Sequence, residues 1–132
     1  MAETDVKLTE AEWSVMECLW KKSPITGREA IEWLKESMGW SRSTTLTLLR
    51  RMEEKGAVGS ENDGTIKLFV PLLSREQAAL QETEDFLGRV YKGSLGMMLS
   101  AFTKKQNLSK QEIAQLHAIL DGLELDGSDK EE

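Results

Sequence analysis

The sequence predicts a mainly α-helical protein with one small β-hairpin set between two groups of helices. Three observations carry this expectation. Four capping boxes, Thr9-Glu10-Ala11-Glu12, Thr26-Gly27-Arg28-Glu29, Ser74-Arg75-Glu76-Gln77 and Ser109-Lys110-Gln111-Glu112, each precede apolar residues that recur at helical spacing. Ser41 and Gly56 mark the two ends of a further helix, a hydroxyl that caps orphan N–H groups and a residue that closes in the left-handed region. Between Ala57 and Pro71 the pattern changes to two short runs rich in Val, Ile, Leu and Phe around Asn62-Asp63-Gly64.

The first helix runs from Thr9 to about Lys22, with Trp13, Met16, Leu19 and Trp20 forming one broad apolar face. Ser23-Pro24-Ile25 breaks it. A second helix, roughly Gly27 to Ser37, buries Ala30, Ile31 and Leu34 with Trp33 beside them, and Met38-Gly39-Trp40 connects it to the third. All four tryptophans fall in the first forty residues, which predicts a core concentrated there rather than a base-stacking platform.

On the third helix, Ser41 to Lys55, a turn of about 100° per residue puts Thr45, Leu48, Leu49 and Met52 on one side. Ser43, Thr47, Arg50 and Glu54 fall opposite, with Thr44, Leu46 and Arg51 on the flanks. Taken alone this is an ordinary amphipathic surface helix. Its neighbours change the reading. Two helices joined by a short glycine-containing turn, the second basic on its free face, form a helix-turn-helix, and a hairpin directly after it (Ala57 to Glu61, Thr65 to Pro71) makes a winged helix. Residues 1–73 are therefore expected to be a winged-helix DNA-binding domain.

From Ser74 the chain returns to helix. Leu80, Thr83, Phe86, Leu87, Val90 and Tyr91 stripe a helix of about seventeen residues that ends at Lys92-Gly93. Leu95, Met97, Met98, Leu99, Ala101 and Phe102 are too apolar for a surface helix, and Ile113, Leu116, Ile119, Leu120 and Leu123 share one side of the last one. Three short helices cannot enclose one another, so residues 74–124 are expected to be a helical dimerisation domain that interleaves with a second copy. Packing back onto the N-terminal half is the competing reading. Residues 125–132 are an acidic tail with the composition of a disordered segment.

Charge and rare residues narrow the function. Net charge is −6, from 17 basic and 23 acidic residues, which argues against a non-specific nucleic-acid coat protein. Within 41–55, four cations (Arg42, Arg50, Arg51, Lys55) oppose two acids (Glu53, Glu54), leaving +2. DNA binding would thus use a local patch. Cys18 is the sole cysteine and sits inside an apolar-rich helix, and His117 has no neighbour at metal-ligand spacing, so no metal and no cofactor are expected. No run reaches the ~18 to 20 apolar residues of a membrane span and the N-terminus carries no apolar signal core, so the expected location is the cytoplasm, without membrane insertion. No nucleophile–base pairing or phosphate-binding glycine loop stands out, so no catalytic residue is assigned and an enzyme is not expected.

Thr44, Thr47, Arg50 and Arg51 are the candidate base readers. Arg42 and Ser43, with the cap Ser41, suit phosphates at the helix N-terminus, where the dipole assists. Leu46 can contact a thymine methyl, and Lys67 is the hairpin's one cation, a residue type that is more often simply solvated.

AEWSVMECLW at 11–20, WSRSTTLTLLRRMEEKG at 40–56 and FLGRVYKG at 86–93 resemble the penicillinase repressor family of bacterial winged-helix regulators, the BlaI/MecI/CopY type. The similarity covers about residues 6 to 124. It implies a homodimeric transcriptional repressor that binds double-stranded, palindromic operator DNA and blocks polymerase. Dimerisation would use Phe86, Leu87, Val90, Tyr91, Leu95, Met98, Leu99, Phe102, Leu116, Ile119 and Leu120. The resemblance further implies relief of repression by an upstream signal. In the β-lactam branch a membrane sensor protease triggers cleavage in the C-terminal domain, and in the copper branch metal acts through a C-terminal cysteine cluster. This chain lacks that cluster, and where the β-lactam branch usually carries an Asn-Phe scissile bond it has Ala101-Phe102. Leu46 stands where β-lactam repressors commonly carry a basic residue. The alternatives are a winged-helix protein-interaction module, or a regulator that answers another signal such as metal stress.

Overall fold

The computed structural model describes residues 6–105 and 107–127. In chain order the elements are α1 (Glu10–Lys21), β1 (Ile25–Thr26), α2 (Gly27–Met38), α3 (Arg42–Lys55), β2 (Val58–Asp63), β3 (Ile66–Pro71), α4 (Arg75–Tyr91), α5 (Leu95–Lys105) and α6 (Lys110–Gly127). The protein is mainly helical, with an N-terminal winged helix-turn-helix followed by C-terminal helices.

All four capping boxes form. Thr9 and Thr26 each accept from the N–H three residues on, at 3.1 Å, while Glu12 and Glu29 accept from the cap N–H groups at 2.9 and 3.0 Å. Ser74 with Gln77 and Ser109 with Glu112 repeat the exchange at 2.8 to 3.0 Å. Each box satisfies two N–H groups that the helix itself cannot.

The wing is larger than the expected hairpin. β2 and β3 pair antiparallel from Val58↔Pro71 to Asp63↔Ile66, and β1 adds a third strand through Ile25↔Phe69 and Thr26↔Leu68, giving the order β1-β3-β2. The turn is Gly64-Thr65, with Gly64 at φ 71°, so Asn62 and Asp63 belong to the ladder rather than the turn.

Two compact units divide at Phe86/Leu87, inside α4, and not between 73 and 74 where the sequence pattern changes. The reason lies in the packing of the first unit. Ala78 of α4 is buried in the N-terminal core, the Trp20 indole N–H donates to the Leu73 carbonyl at 2.9 Å, and Arg75 donates to Glu17 at 2.8 Å. The start of α4 is therefore part of the winged-helix body.

That body has a continuous core: Val15, Met16, Cys18 and Leu19 of α1, Ala30 and Leu34 of α2, Leu48, Leu49 and Met52 of α3, and Ile25, Val58 and Phe69 of the sheet. Trp13 and Trp20 do not centre the α1 face. They flank it, ring edge to face at 5.3 Å, partly buried, and Ile31 is likewise only half-buried. In the second unit no described residue is buried. Leu87, Tyr91, Met98, Leu99 and Leu116 are half-buried, while Val90, Leu95, Phe102, Ile119 and Leu120 are exposed. α6 continues to Gly127, three residues into the segment read as a disordered tail, and residues 128–132 lie outside the described ones.

Candidate nucleic-acid interface

α3 is positioned by its buried side. Thr45, Leu48, Leu49 and Met52 insert into the core, as the periodicity predicts, which orients the opposite side to solvent. The N-terminus is capped by Ser41, whose hydroxyl accepts from the Thr44 N–H at 3.2 Å and lies 3.1 Å from the Thr44 hydroxyl and 3.2 Å from that of Ser43. Ser41, Arg42, Ser43 and Thr44 are all exposed, and no acidic residue occupies the first turn. Three hydroxyls, an arginine and the first-turn N–H groups that the Ser41 cap does not engage, at the positive end of a helix dipole, form a surface that favours anions. The C-terminus closes at Gly56, φ 89°, whose N–H donates back into the last turn.

Arg50 and Arg51 are exposed one turn and more beyond this cluster, whereas Leu46 and Thr47 are half-buried. The two lysines behave differently from the arginines. Lys55 donates to Glu12 at 2.7 Å and to the Lys7 carbonyl at 2.8 Å, tying the end of α3 to the capping box of α1. Lys67 donates to Glu53 at 3.1 Å and sits 5.1 Å from the centre of the Phe69 ring, tying β3 to α3. Among the described residues, Arg42, Arg50 and Arg51 have no ion-pair partner. The +2 of this helix survives these pairings, since three free arginines now oppose Glu54 alone. Its positive charge is thus concentrated on Arg42, Arg50 and Arg51.

Glu12 is the pivot of the Lys55 contact. Burial alone would raise its pKa, but hydrogen bonds from Lys55 and the Thr9 N–H, with the Lys55 charge, outweigh burial and hold it below the ordinary carboxylate range. Glu17 is lowered first by its hydrogen bond from Arg75, with the Trp13 indole N–H adding a second at 2.9 Å. Arg75 also lies about over both rings, 6.0 Å from Trp13 and 5.8 Å from Trp20. Sequence reasoning missed Glu12, Glu53 and Arg75 as parts of the site's framework, because their partners lie 43, 14 and 58 residues away.

No group of three or more His, Cys, Asp or Glu residues suited to a metal occurs among the described residues. Cys18 is fully buried, and desolvation pushes its thiol up to about 11, which leaves it inert at neutral pH. His117 is exposed, as are Ala101 and Phe102 within α5. No helix among the described residues is long and apolar enough to cross a membrane.

A buried hydrophobic stripe beneath an exposed, hydroxyl- and arginine-bearing helix, followed by a wing, is the arrangement of a winged helix-turn-helix. The sequence profile of the penicillinase repressor family matches residues 8–122. The chain belongs to the penicillinase repressor family. It is therefore a winged-helix DNA-binding repressor of the BlaI/MecI type, a transcription regulator and not an enzyme. It is 32% identical to the penicillinase repressor of Bacillus licheniformis over 87% of this chain and 90% of that one. With the methicillin resistance regulatory protein MecI of Staphylococcus aureus it shares 30% identity over 86% of this chain and 93% of the other. Among solved structures, the DNA-binding domain of the repressor BlaI matches at 30% identity and a TM-score of 0.50, covering 55% of this chain and 88% of that domain. The Bacillus licheniformis BlaI monomer in complex with the blaP half-operator matches at 31% and 0.50, covering 54% of this chain and 87% of that one.

Proposed function

We propose that this repressor binds a two-fold-symmetric operator as a homodimer, one α3 entering the major groove of each half-site. The observation that carries the reading is the contrast along α3: three exposed arginines without ion-pair partners among the described residues and an exposed, hydroxyl-lined N-terminus on one side, a buried apolar stripe on the other. The BlaI half-operator complex supports it by likeness of both sequence and fold. Arg50, Arg51, Thr44 and Thr47 read base edges, Leu46 lies within reach of a thymine methyl, and Ser41, Arg42 and Ser43 bind phosphate.

The homodimer rests on the second unit. Val90, Leu95, Phe102, Ile119 and Leu120 are 42 to 55% exposed in the single chain, and a second copy supplies the same stripe in self-complementary form. We infer that relief of repression acts through these helices. A cut at Ala101-Phe102, made in response to a membrane sensor protease, separates Leu95, Met98 and Leu99 from Leu116, Ile119 and Leu120 and so divides the dimer surface.

Selection of bound duplexes from a random pool at about 0.15 M salt tests the operator reading, since phosphate binding is interpretable only at stated salt. The expected product is a dyad-symmetric motif whose half-sites lie ~10 bp apart, centre to centre. On that duplex Arg50→Ala costs about 1 to 3 kcal/mol and relaxes preference at one position of each half-site. A pool without an enriched motif defeats direct readout by the free protein and turns attention to a missing ligand or a protein partner.

A further inference from the structure

The two lysines beside the recognition helix are held by carboxylates of very different burial. In the Lys55–Glu12 pair the carboxylate side chain is 5% exposed and the lysine 34%, whereas in the Lys67–Glu53 pair the figures are 26% and 50%. The first is a fixed strut between α1 and α3. The second is a solvent-facing contact of the kind that a competing anion can displace. Lys67 is also the one cation of the wing strands, where Glu61 and Asp63 of β2 oppose it, so the wing's positive charge toward a phosphate is this ammonium.

We propose that Glu53 is an intramolecular competitor for DNA phosphate: its carboxylate occupies the Lys67 ammonium and holds the wing's cation off the duplex backbone, attenuating affinity without touching a base. The inference rests on the DNA-binding reading above and adds to it an affinity-setting residue on the recognition helix. The chemistry is simple exchange. A phosphate oxygen and the Glu53 carboxylate are both anionic acceptors, and one ammonium engaged at 3.1 Å by the carboxylate releases one counterion fewer from the duplex. Glu53→Gln keeps the shape and a hydrogen-bonding carbonyl but removes the charge, and so frees Lys67. The effect belongs to no particular base pair. It therefore appears in the salt dependence rather than in the sequence preference.

The test uses the full chain and the duplex enriched by selection, with binding measured at several salt concentrations for wild type, E53Q, K67M and E53Q/K67M. E53Q is expected to tighten binding by up to about fivefold per protomer, the displacement of one surface ion pair, and to steepen the log–log salt slope by about 0.9 per protomer. In the K67M background the same substitution is expected to give a clearly smaller steepening. E53Q with an unchanged slope overturns the inference while leaving operator binding intact. Steepening at least as large without Lys67 also overturns it, since Glu53 would then repel phosphate directly. Wild type that fails to bind the duplex at all defeats the DNA-binding reading itself, and this inference with it. Glu53→Ala, which has no hydrogen-bonding carbonyl, is expected to reproduce the E53Q slope and so assigns the effect to charge.

Discussion

The two units of this chain use apolar residues in opposite ways. In residues 1–86 they close a core: Met16, Leu19, Leu34 and Met52 are fully buried, and all four tryptophans pack against them. In residues 87–132 the apolar content is as evident in the sequence, yet no described residue is buried and α5 has no buried residue at all. The first unit is a body that a monomer completes by itself. The second leaves its apolar stripes exposed or half-buried, so on the proposed dimer reading its stability depends on protein concentration. On the proposed reading, that division would let the DNA-binding unit persist when a dimer surface in the second unit is lost.

The largest expected effects bear directly on this contrast. Leu34→Ala leaves a cavity in a closed core and is expected to destabilise by about 2 to 5 kcal/mol in urea unfolding, equally at low and high protein concentration. Leu120→Ala removes a side chain that is 55% exposed in the single chain, so its cost is expected to vanish on dilution and to return at concentrations where copies associate. Equal, concentration-independent costs for both would erase the distinction between the units.

A smaller effect sharpens the picture of the first unit. Glu12→Gln keeps the capping box but removes the Lys55 ion pair, an expected cost of about 1 to 3 kcal/mol at neutral pH. Because the folded pKa of Glu12 is depressed, this stability is fully present above the unfolded value of about 4.3 and is lost as pH falls through the folded value. The difference between wild type and Glu12→Gln is therefore expected to disappear in acid, as read by thermal melts across pH. The smallest effect has the opposite sign. The Thr45 hydroxyl is buried without a hydrogen-bond partner, so Thr45→Val, of similar shape, is expected to be neutral or to stabilise by up to about 1 kcal/mol in the same melts.

What was legible in the sequence was what is local. Capping boxes span three residues and apolar stripes span a few turns, so the helix starts, the buried side of α3 and the position of the wing were all readable. β1 was not, because two residues carry no periodicity and its pairing partner, Phe69, lies in the hairpin. The ion pairs that organise the interface were hidden for the same reason. Nothing near Lys55 in sequence points to Glu12, and counting charges by proximity assigned Lys55 to DNA-facing charge when it braces α1. The sequence boundary at 73/74 marks where the period changes, whereas the compact unit extends to Phe86 because Ala78 is buried and Arg75 is held by Glu17.

The most direct test of the account is the stoichiometry and affinity of the full chain on duplexes carrying one or two half-sites, measured by sedimentation at about 0.15 M salt, where surface electrostatics act over about 8 Å. Two chains are expected on the two-site duplex, bound cooperatively, and one weakly bound chain on the single-site duplex. One chain saturating the two-site duplex, or equal affinity per chain for both, would contradict the account.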